Sequence, residues 1–394
     1  MIYKTLHLSE LTEIGDGNHS SNYPKASEMV KEGVPFLRSG NIQDGKIIDD
    51  NLKFISPEKH QILKKGHIKT GDILFTNRGE IGKIGIVDER FNNANLNSQV
   101  AWIRVGNQLY NRYLYYYLSS SAVKLFFLKA KTGTALQQIT IKQLKSLLIS
   151  FPDFSEQQRI VAKLDAIFAE VDKGIAISYR KQEEVDKLKQ SILESTFVYG
   201  VDNKKLGDVC DIIGGGTPSK SKASYYYGDI PWATVRDMSF DEISSTQHKI
   251  TKLGLKKSSS NLIPKNNIII ASRVGLGKVC ILKQDTAINQ DLRGIIPKKE
   301  GTIKRKYLFY WFKSISNKII TAGRGATVQG VRLPFLKSLF LPLPSLAEQK
   351  RIVEKLDSVF KENEVVIKAT KKQIINYKAL KSIIIFNQLQ KEAT

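Results

Sequence analysis

The chain has 394 residues and a formal net charge of +23, from 61 Lys and Arg against 38 Asp and Glu. That length allows two or three domains with cores of their own, and that charge excludes a chain whose partners are all neutral. A polyanion is the expected partner, nucleic acid ahead of membrane, because Lys and Arg neutralise phosphates. Only Cys210 and Cys280 are present, with no CxxC, so neither a disulfide nor a zinc framework is expected. No run approaches the roughly eighteen apolar residues of a spanning helix, and the start, MIYKTLHLSE, lacks the apolar core of a signal peptide. A cytoplasmic protein is the expectation.

Residues 1–154 read as a first globule of short strands with one helix. The stretches 71–76 (GDILFT), 84–87 (IGIV) and 100–105 (VAWIRV) are β-branched and bounded by Gly or Asn, which is strand language. Residues 111–129, richer in Leu, Tyr and Phe at helical spacing, predict its main helix. Polar loops punctuated by Gly, at 15–19 and 77–80, lie between them, and loops of this kind on a rigid frame carry binding groups.

A long helical segment follows over residues 155–200. Ser155 with Gln158 reads as an S-x-x-Q capping box after Pro152, and Gly200 as the stop. Ile160, Leu164, Ile167, Val171, Gly174, Ser178, Lys181, Val185, Leu188, Ile192, Ser195 and Tyr199 fall on alternating steps of four and three, a heptad seam that is polar in the middle. Its first turns return later in the chain. Residues 155–168 (SEQQRIVAKLDAIF) match 347–360 (AEQKRIVEKLDSVF) at nine of fourteen positions, an offset of 192.

Residues 201–344 form a second globule that echoes the first. Ile14-Gly15-Asp16-Gly17 is answered by Ile213-Gly214-Gly215-Gly216, and Val34-Pro35-Phe36 by Ile230-Pro231-Trp232. The run from Asp72 to Arg78 with Gly82-Lys83 is answered by Asn267 to Arg273 with Gly277-Lys278. Residues 345–394 then repeat the long helix, opening on a Ser345/Glu348 box, with a seam through Ile352, Leu356, Val359, Asn363, Val366, Thr370, Gln373, Tyr377, Leu380 and Ile384. Neither seam can be buried along its length by its own globule, so the two near-copies are expected to pair. The fold class is α+β: two similar mixed α/β globules separated by two long helices forming an antiparallel coiled coil, with a pseudo-twofold internal repeat.

The whole chain resembles the specificity subunits of type I restriction-modification systems. The resemblance rests on Gly214-Gly215-Gly216-Thr217-Pro218-Ser219 followed by Tyr225 to Trp232, on the Gly-Asp-Ile-Leu-Phe strand with Arg78, and on the doubled Glu-Gln-x-Arg-Ile-Val helix start. It implies that each globule is a target-recognition domain reading one half of a split double-stranded DNA site. The helices would set the gap and dock two methyltransferase subunits, to which restriction subunits can add. S-adenosylmethionine would belong to the methyltransferase partner, with no cofactor in this chain.

Motifs for autonomous chemistry are missing. An amino-methyltransferase needs an Asn/Asp-Pro-Pro-aromatic loop, and no Pro-Pro occurs. The 214–221 stretch lacks the Gly before Lys-Ser that a phosphate loop requires, and the five His form no H-E-x-x-H pair, so neither a catalytic nor a metal site is expected. Base reading calls for Arg, Lys, Asn and Gln at groove edges, with other cations on phosphates. The candidates are Arg38, Asn41, Asn77, Arg78, Lys83 and Gln137 in the first globule, and Arg236, Ser272, Arg273, Lys278, Arg324 and Gln329 in the second. Arg78/Arg273, Lys83/Lys278 and Gln137/Gln329 recur at matching places. The bland alternative has both arginines capping strands or pairing with acids inside their globules; Tyr225-Tyr226-Tyr227 could pack on sugar and base surfaces, but filling a core edge is the favoured reading. Two other readings of the whole are a DNA-modifying enzyme with divergent motifs and a coiled-coil scaffold that binds protein.

Overall fold

Alternating apolar residues at Ile73, Phe75, Ala101 and Ile103 need one covered sheet face, and in the computed structural model the four are buried in one core beneath helices. The structure describes residues 2–19, 21–43, 45–130, 137–197, 202–323 and 330–390. By contacts it divides into two units, residues 1–178 with 372–394, and residues 179–371.

In the first unit an antiparallel sheet runs in the order Thr12–Asp16, Val100–Val105, Ile73–Thr76, Ile84–Ile86. A smaller sheet centres on Val34–Leu37, antiparallel to Lys53–Ile55 and parallel to Asn95–Leu96. Lys4–His7 pairs with Leu148–Phe151 beside the start of the long helix. The expected single helix over 111–129 is two, Asn111–Ser119 and Ser121–Ala130, because Ser120 leaves helical geometry at φ −66°, ψ 155°.

The second unit repeats this plan. Its larger sheet runs Cys210–Gly214, Leu292–Pro297, Ile268–Ala271, Val279–Leu282, Glu242–Ile243. The smaller sheet centres on Tyr226–Ala233, again with one antiparallel neighbour, His248–Ile250, and one parallel neighbour, Thr286–Ile288. The helix Arg305–Ser314 covers the larger sheet through Tyr307, Leu308 and Trp311.

The long helices span Phe154–Thr196 and Leu346–Gln390. Each unit contains the start of one and the end of the other. In the first unit Ile160, Leu164 and Phe168 share a core with Ile385 and Leu389, Lys381 pairs with Asp172 at 2.5 Å, and Tyr377 covers Gly174 so closely that a Cβ there would collide with its ring. In the second unit Leu193 and Leu356 share a core, and Gln182 Nε2 donates to Thr370 Oγ1 at 3.0 Å. Residue numbers rise on one helix as they fall on the other, which is antiparallel pairing. Its middle is polar, since Ser178 Oγ also donates to Gln373 at 3.4 Å.

Two helix expectations need correction. The first long helix is capped by Asp153, whose carboxylate accepts from Glu156 N–H at 2.9 Å and from the Ser155 hydroxyl at 2.7 Å; Ser155 lies inside the helix. Asp153 aligns with Ser345, which accepts from Glu348 N–H at 3.3 Å, so both copies begin at the same place in the repeat. The heptad seam also drifts. Ile160, Leu164, Val171 and Leu356 are buried, and Ile167, Val185, Ile192, Ile352, Val359, Val366, Tyr377 and Ile384 are half-buried. Leu188 and Leu380, however, are 51% and 41% exposed, while Leu193, Ile374, Ile385 and Leu389 take the inner face. A straight helix at 3.6 residues per turn slips about 20° per heptad against a 3.5 repeat, which carries the stripe one residue onward.

A doubled glutamine fixes each long helix to its sheet-bearing head. Gln157, wholly buried, accepts from Tyr110 N–H at 2.8 Å and donates to the carbonyls of Gln108 and Pro152 at 2.9 and 3.0 Å. Gln349 repeats this with Lys304 N–H at 2.9 Å and the carbonyls of Thr302 and Pro344 at 3.2 and 2.9 Å. Asp165 and Asp357 add a second tie, each accepting a tyrosine hydroxyl at 2.5 Å, from Tyr116 and Tyr310. Desolvation first and the neighbouring aspartate second push both phenols well above the ordinary tyrosine range.

Gln157→Met or Gln349→Met, of similar volume, leaves one N–H and two carbonyls without the amide, and each should lower stability by about 2 to 4 kcal/mol in urea titrations. A loss below about 0.5 kcal/mol would mean that water replaces the amide. Burial pushes the Cys210 and Cys280 thiols up to about 12. A disulfide reagent at pH 8 should therefore leave both thiols unreacted in the folded chain and titrate both after denaturation.

Candidate nucleic-acid interface

The best-matched surface feature of the two units is a loop after the strand that lies third across the larger sheet, Arg78-Gly79-Glu80-Ile81-Gly82-Lys83 in one and Arg273-Val274-Gly275-Leu276-Gly277-Lys278 in the other. Gly82 and Gly277 both adopt left-handed backbone, φ 93° and 87°, which turns the chain so that Ile81 or Leu276 packs inward and the flanking cations stay at the rim. The same partners hold each loop's base. Asn77 N–H donates to Gln99 O at 3.0 Å, and Asn77 O accepts from Ile139 N–H at 2.9 Å; Ser272 N–H donates to Asp291 O and Ser272 O accepts from Val331 N–H, both at 2.8 Å.

Arg273, Lys278 and Arg236 are exposed, and none of the three makes an ion pair among the described residues. Arg78 is half-buried, with its Nε lacking a partner and no ion pair among the described residues. Neither arginine therefore pairs with an acid of its own head, as the bland alternative would have it. Lys83 differs from Lys278, because Glu80 pairs with it. Arg38 is half-buried and donates to Asn51 O at 2.9 Å. Gln137 is exposed, next to Gln138, which bridges to Arg78. Arg324 and Gln329 lie outside the described residues.

Three candidates are corrected. Asn41 is 1% exposed, with its oxygen accepting from Arg38 N–H and its amide donating to the carbonyls of Ile48 and Asp50. Asn77 is buried and donates to Ile139 O at 3.3 Å, and the buried Ser272 hydroxyl donates to Asp291 O at 3.1 Å. The Asn41 and Ser272 side chains serve buried backbone, and Asn77 does so through its amide N–H while its Oδ1 stays buried without a partner.

The sequence reading missed a repeated turn. Asn97 Oδ1 accepts from Gln99 N–H and Asn289 Oδ1 from Asp291 N–H, both at 3.1 Å. Gln99 also accepts from Ser39 at 3.2 Å, and Gln290 from Thr217. The turns sit where Gly17 and Gly215 approach so closely that a Cβ would strike the carbonyls of Asn97 and Asn289. Their signal was the same 192-residue offset, applied to residues 97–99 and 289–291. The second unit also carries a long basic stretch: residues 243–284 contain no Asp or Glu and eight Lys or Arg. Among the described residues no three His, Cys, Asp or Glu side chains come together as a metal site, and no described helix is long and apolar enough to cross a membrane.

This doubled frame has matches among known proteins. A family model for the type I restriction modification DNA specificity domain matches residues 3–185 and 199–376. The chain is 34% identical to the type I restriction enzyme MjaIX specificity subunit of Methanocaldococcus jannaschii, over 42% of this chain and 41% of that subunit. It is 30% identical to the EcoR124I/EcoR124II specificity subunit of Escherichia coli, over 64% of this chain and 63% of that one. The alignments thus span less than two thirds of these two relatives. A putative type I restriction enzyme MjaX specificity subunit of Methanocaldococcus jannaschii is 27% identical over 88% of this chain and 86% of its own. A chain solved in work on complex assembly and conformational transition of the type I R-M system shares the fold at TM-score 0.73 and 20% identity, covering 98% of this chain and 97% of that one. The HsdS subunit from Thermoanaerobacter tengcongensis follows at TM-score 0.51 and 20% identity, covering 98% and 96%. With its model matching both halves, the chain belongs to the type I restriction modification DNA specificity family.

Proposed function

We propose that this chain reads a bipartite, asymmetric site in double-stranded DNA, one half with each sheet-bearing head, and that the paired helices set the gap between the halves. The observation that carries this reading is the Arg-x-x-apolar-Gly-Lys loop, built twice on one frame with different chemistry around it. In the first unit Glu80 pairs with Lys83; in the second Lys278 and Arg273 make no ion pair among the described residues. A forked guanidinium at a loop rim suits the O6 and N7 acceptors of guanine, and the neighbouring lysines suit phosphates. Residues 1–154 and 201–344 would serve as the two target-recognition domains, with 155–200 and 345–394 as the spacer.

The spacer would also dock two methyltransferase subunits, with restriction subunits able to join them. Methyl transfer would fall to those subunits, which would bind S-adenosylmethionine; this chain would supply recognition and geometry.

Arg273→Ala should cost about 1 to 3 kcal/mol of discrimination at one position of one half site and leave the other half unchanged. Binding measured across a panel of single-base variants reads this directly, and uniform weakening across the panel would make Arg273 a phosphate contact instead. Four residues inserted after Ser178, with four more opposite them after Lys371, lengthen the helices by about 6 Å, near two base-pair steps of about 3.4 Å. Methylation mapping should then show a wider gap with both half sites intact. Altered half-site sequences would contradict the ruler.

A further inference from the structure

The second unit carries a strained aromatic that the family-level reading does not use. Tyr227 is 94% exposed and sits at φ 60°, in the left-handed region that bulky side chains avoid. The strain comes from a bulge. Tyr226 and Ile230 both pair with Ile250, so residues 227–229 loop out between them. The loop is pinned on both sides: Thr251 N–H donates to Tyr225 O at 3.0 Å, and Gly228 lies so close to Ile250 O and Thr251 that a Cβ would collide. Tyr225 is buried and the Tyr226 hydroxyl donates to Pro218 O at 2.5 Å. Of the three tyrosines, only Tyr227 is held out into solvent.

Its surroundings are cationic. Lys222, Lys249 and Lys252 are exposed on the segments that pin the bulge, and none makes an ion pair among the described residues. Lys249 and Lys252 belong to the acid-free stretch, and Asp229 is the one acid between residues 212 and 236. The bulge also belongs to the same loop system as the turn at 289–291: Thr217 bonds Gln290, and the next residue, Pro218, holds Tyr226. At the matching place the first unit has exposed Lys31 and Glu32 and no aromatic.

Core packing cannot explain a ring that touches solvent on nearly all sides, and a left-handed tyrosine persists only where the surrounding structure over-determines it. We propose that Tyr227 is a DNA-contacting residue of the second head: its ring packs against the sugar and base surface of the duplex while Lys222, Lys249 and Lys252 hold the flanking phosphates. Aromatic faces pack on nucleotides without hydrogen-bond readout, and inserted side chains of this kind change groove shape. The contact would add affinity and a preference for deformable steps beside the half site. This assignment rests on the proposed DNA-reading function.

The test compares the full chain with Tyr227→Gly and Tyr227→Phe on a labelled duplex carrying the site mapped by methylation for the wild type. Gly relieves the backbone strain, so its melting temperature should rise by about 2 to 4 °C while duplex affinity falls about tenfold. Phe keeps the ring and should bind within about twofold of wild type. Unchanged affinity in the Gly variant, or a loss accompanied by a lower melting temperature, overturns the assignment. A wild-type chain that fails to bind the duplex in a salt-dependent way would contradict the DNA-reading function itself, before Tyr227 enters.

Discussion

The structure depends on a buried amide used twice. Gln157 and Gln349 each satisfy one N–H and two carbonyls where a head meets the first turn of its long helix. The Pro152 and Pro344 carbonyls in these joints are bonded in buried surroundings, so the amide is the difference between a fixed joint and unpaired polar groups. The tyrosine–aspartate ties about two turns later, Tyr116 with Asp165 and Tyr310 with Asp357, fix the rotation of the same helix. Because both ties repeat at the same spacing, both heads are carried on their helices by one joint design.

The helix pair then uses a division of labour along its length. Apolar residues lie at the ends, inside the core of each unit. The middle is held by hydroxyl and amide groups, Ser178 with Gln373 and Gln182 with Thr370. Polar pairs in a seam add little stability, but they penalise slippage, because any other register leaves them unpaired. In the proposed spacer role, register is the property that matters, since a slip of one turn would alter the length that such a spacer sets.

Much of this was legible in the sequence because repetition supplies an internal reference. The 192-residue offset located both long helices, and a closely similar offset of 195 the matching Arg–Lys loops, without any relative to compare. What it could not give was the outcome of close competitions. Asp153 and Ser155 are both good caps two residues apart, and only the backbone bonds choose between them. Leu188 and Leu380 fit a 3.5-residue period, yet the helices keep nearer 3.6 and turn both leucines outward. Asn41, Asn77 and Ser272 have the polarity of base readers, but such short polar chains beside tight loops serve the loop's own backbone first. Tyr227 is the opposite case. The favoured sequence reading places it at a core edge, and the bulge that throws it outward is visible only in the register.

The account's central claim is that one frame, differently decorated, reads two different sequences. The most direct measurement is methylation mapping of a chimera in which residues 203–342 are replaced by residues 4–151, so that both positions carry the first head. The account predicts that the methylated site becomes an inverted repeat of the first half site with the gap retained. A site that keeps its original asymmetry would contradict it.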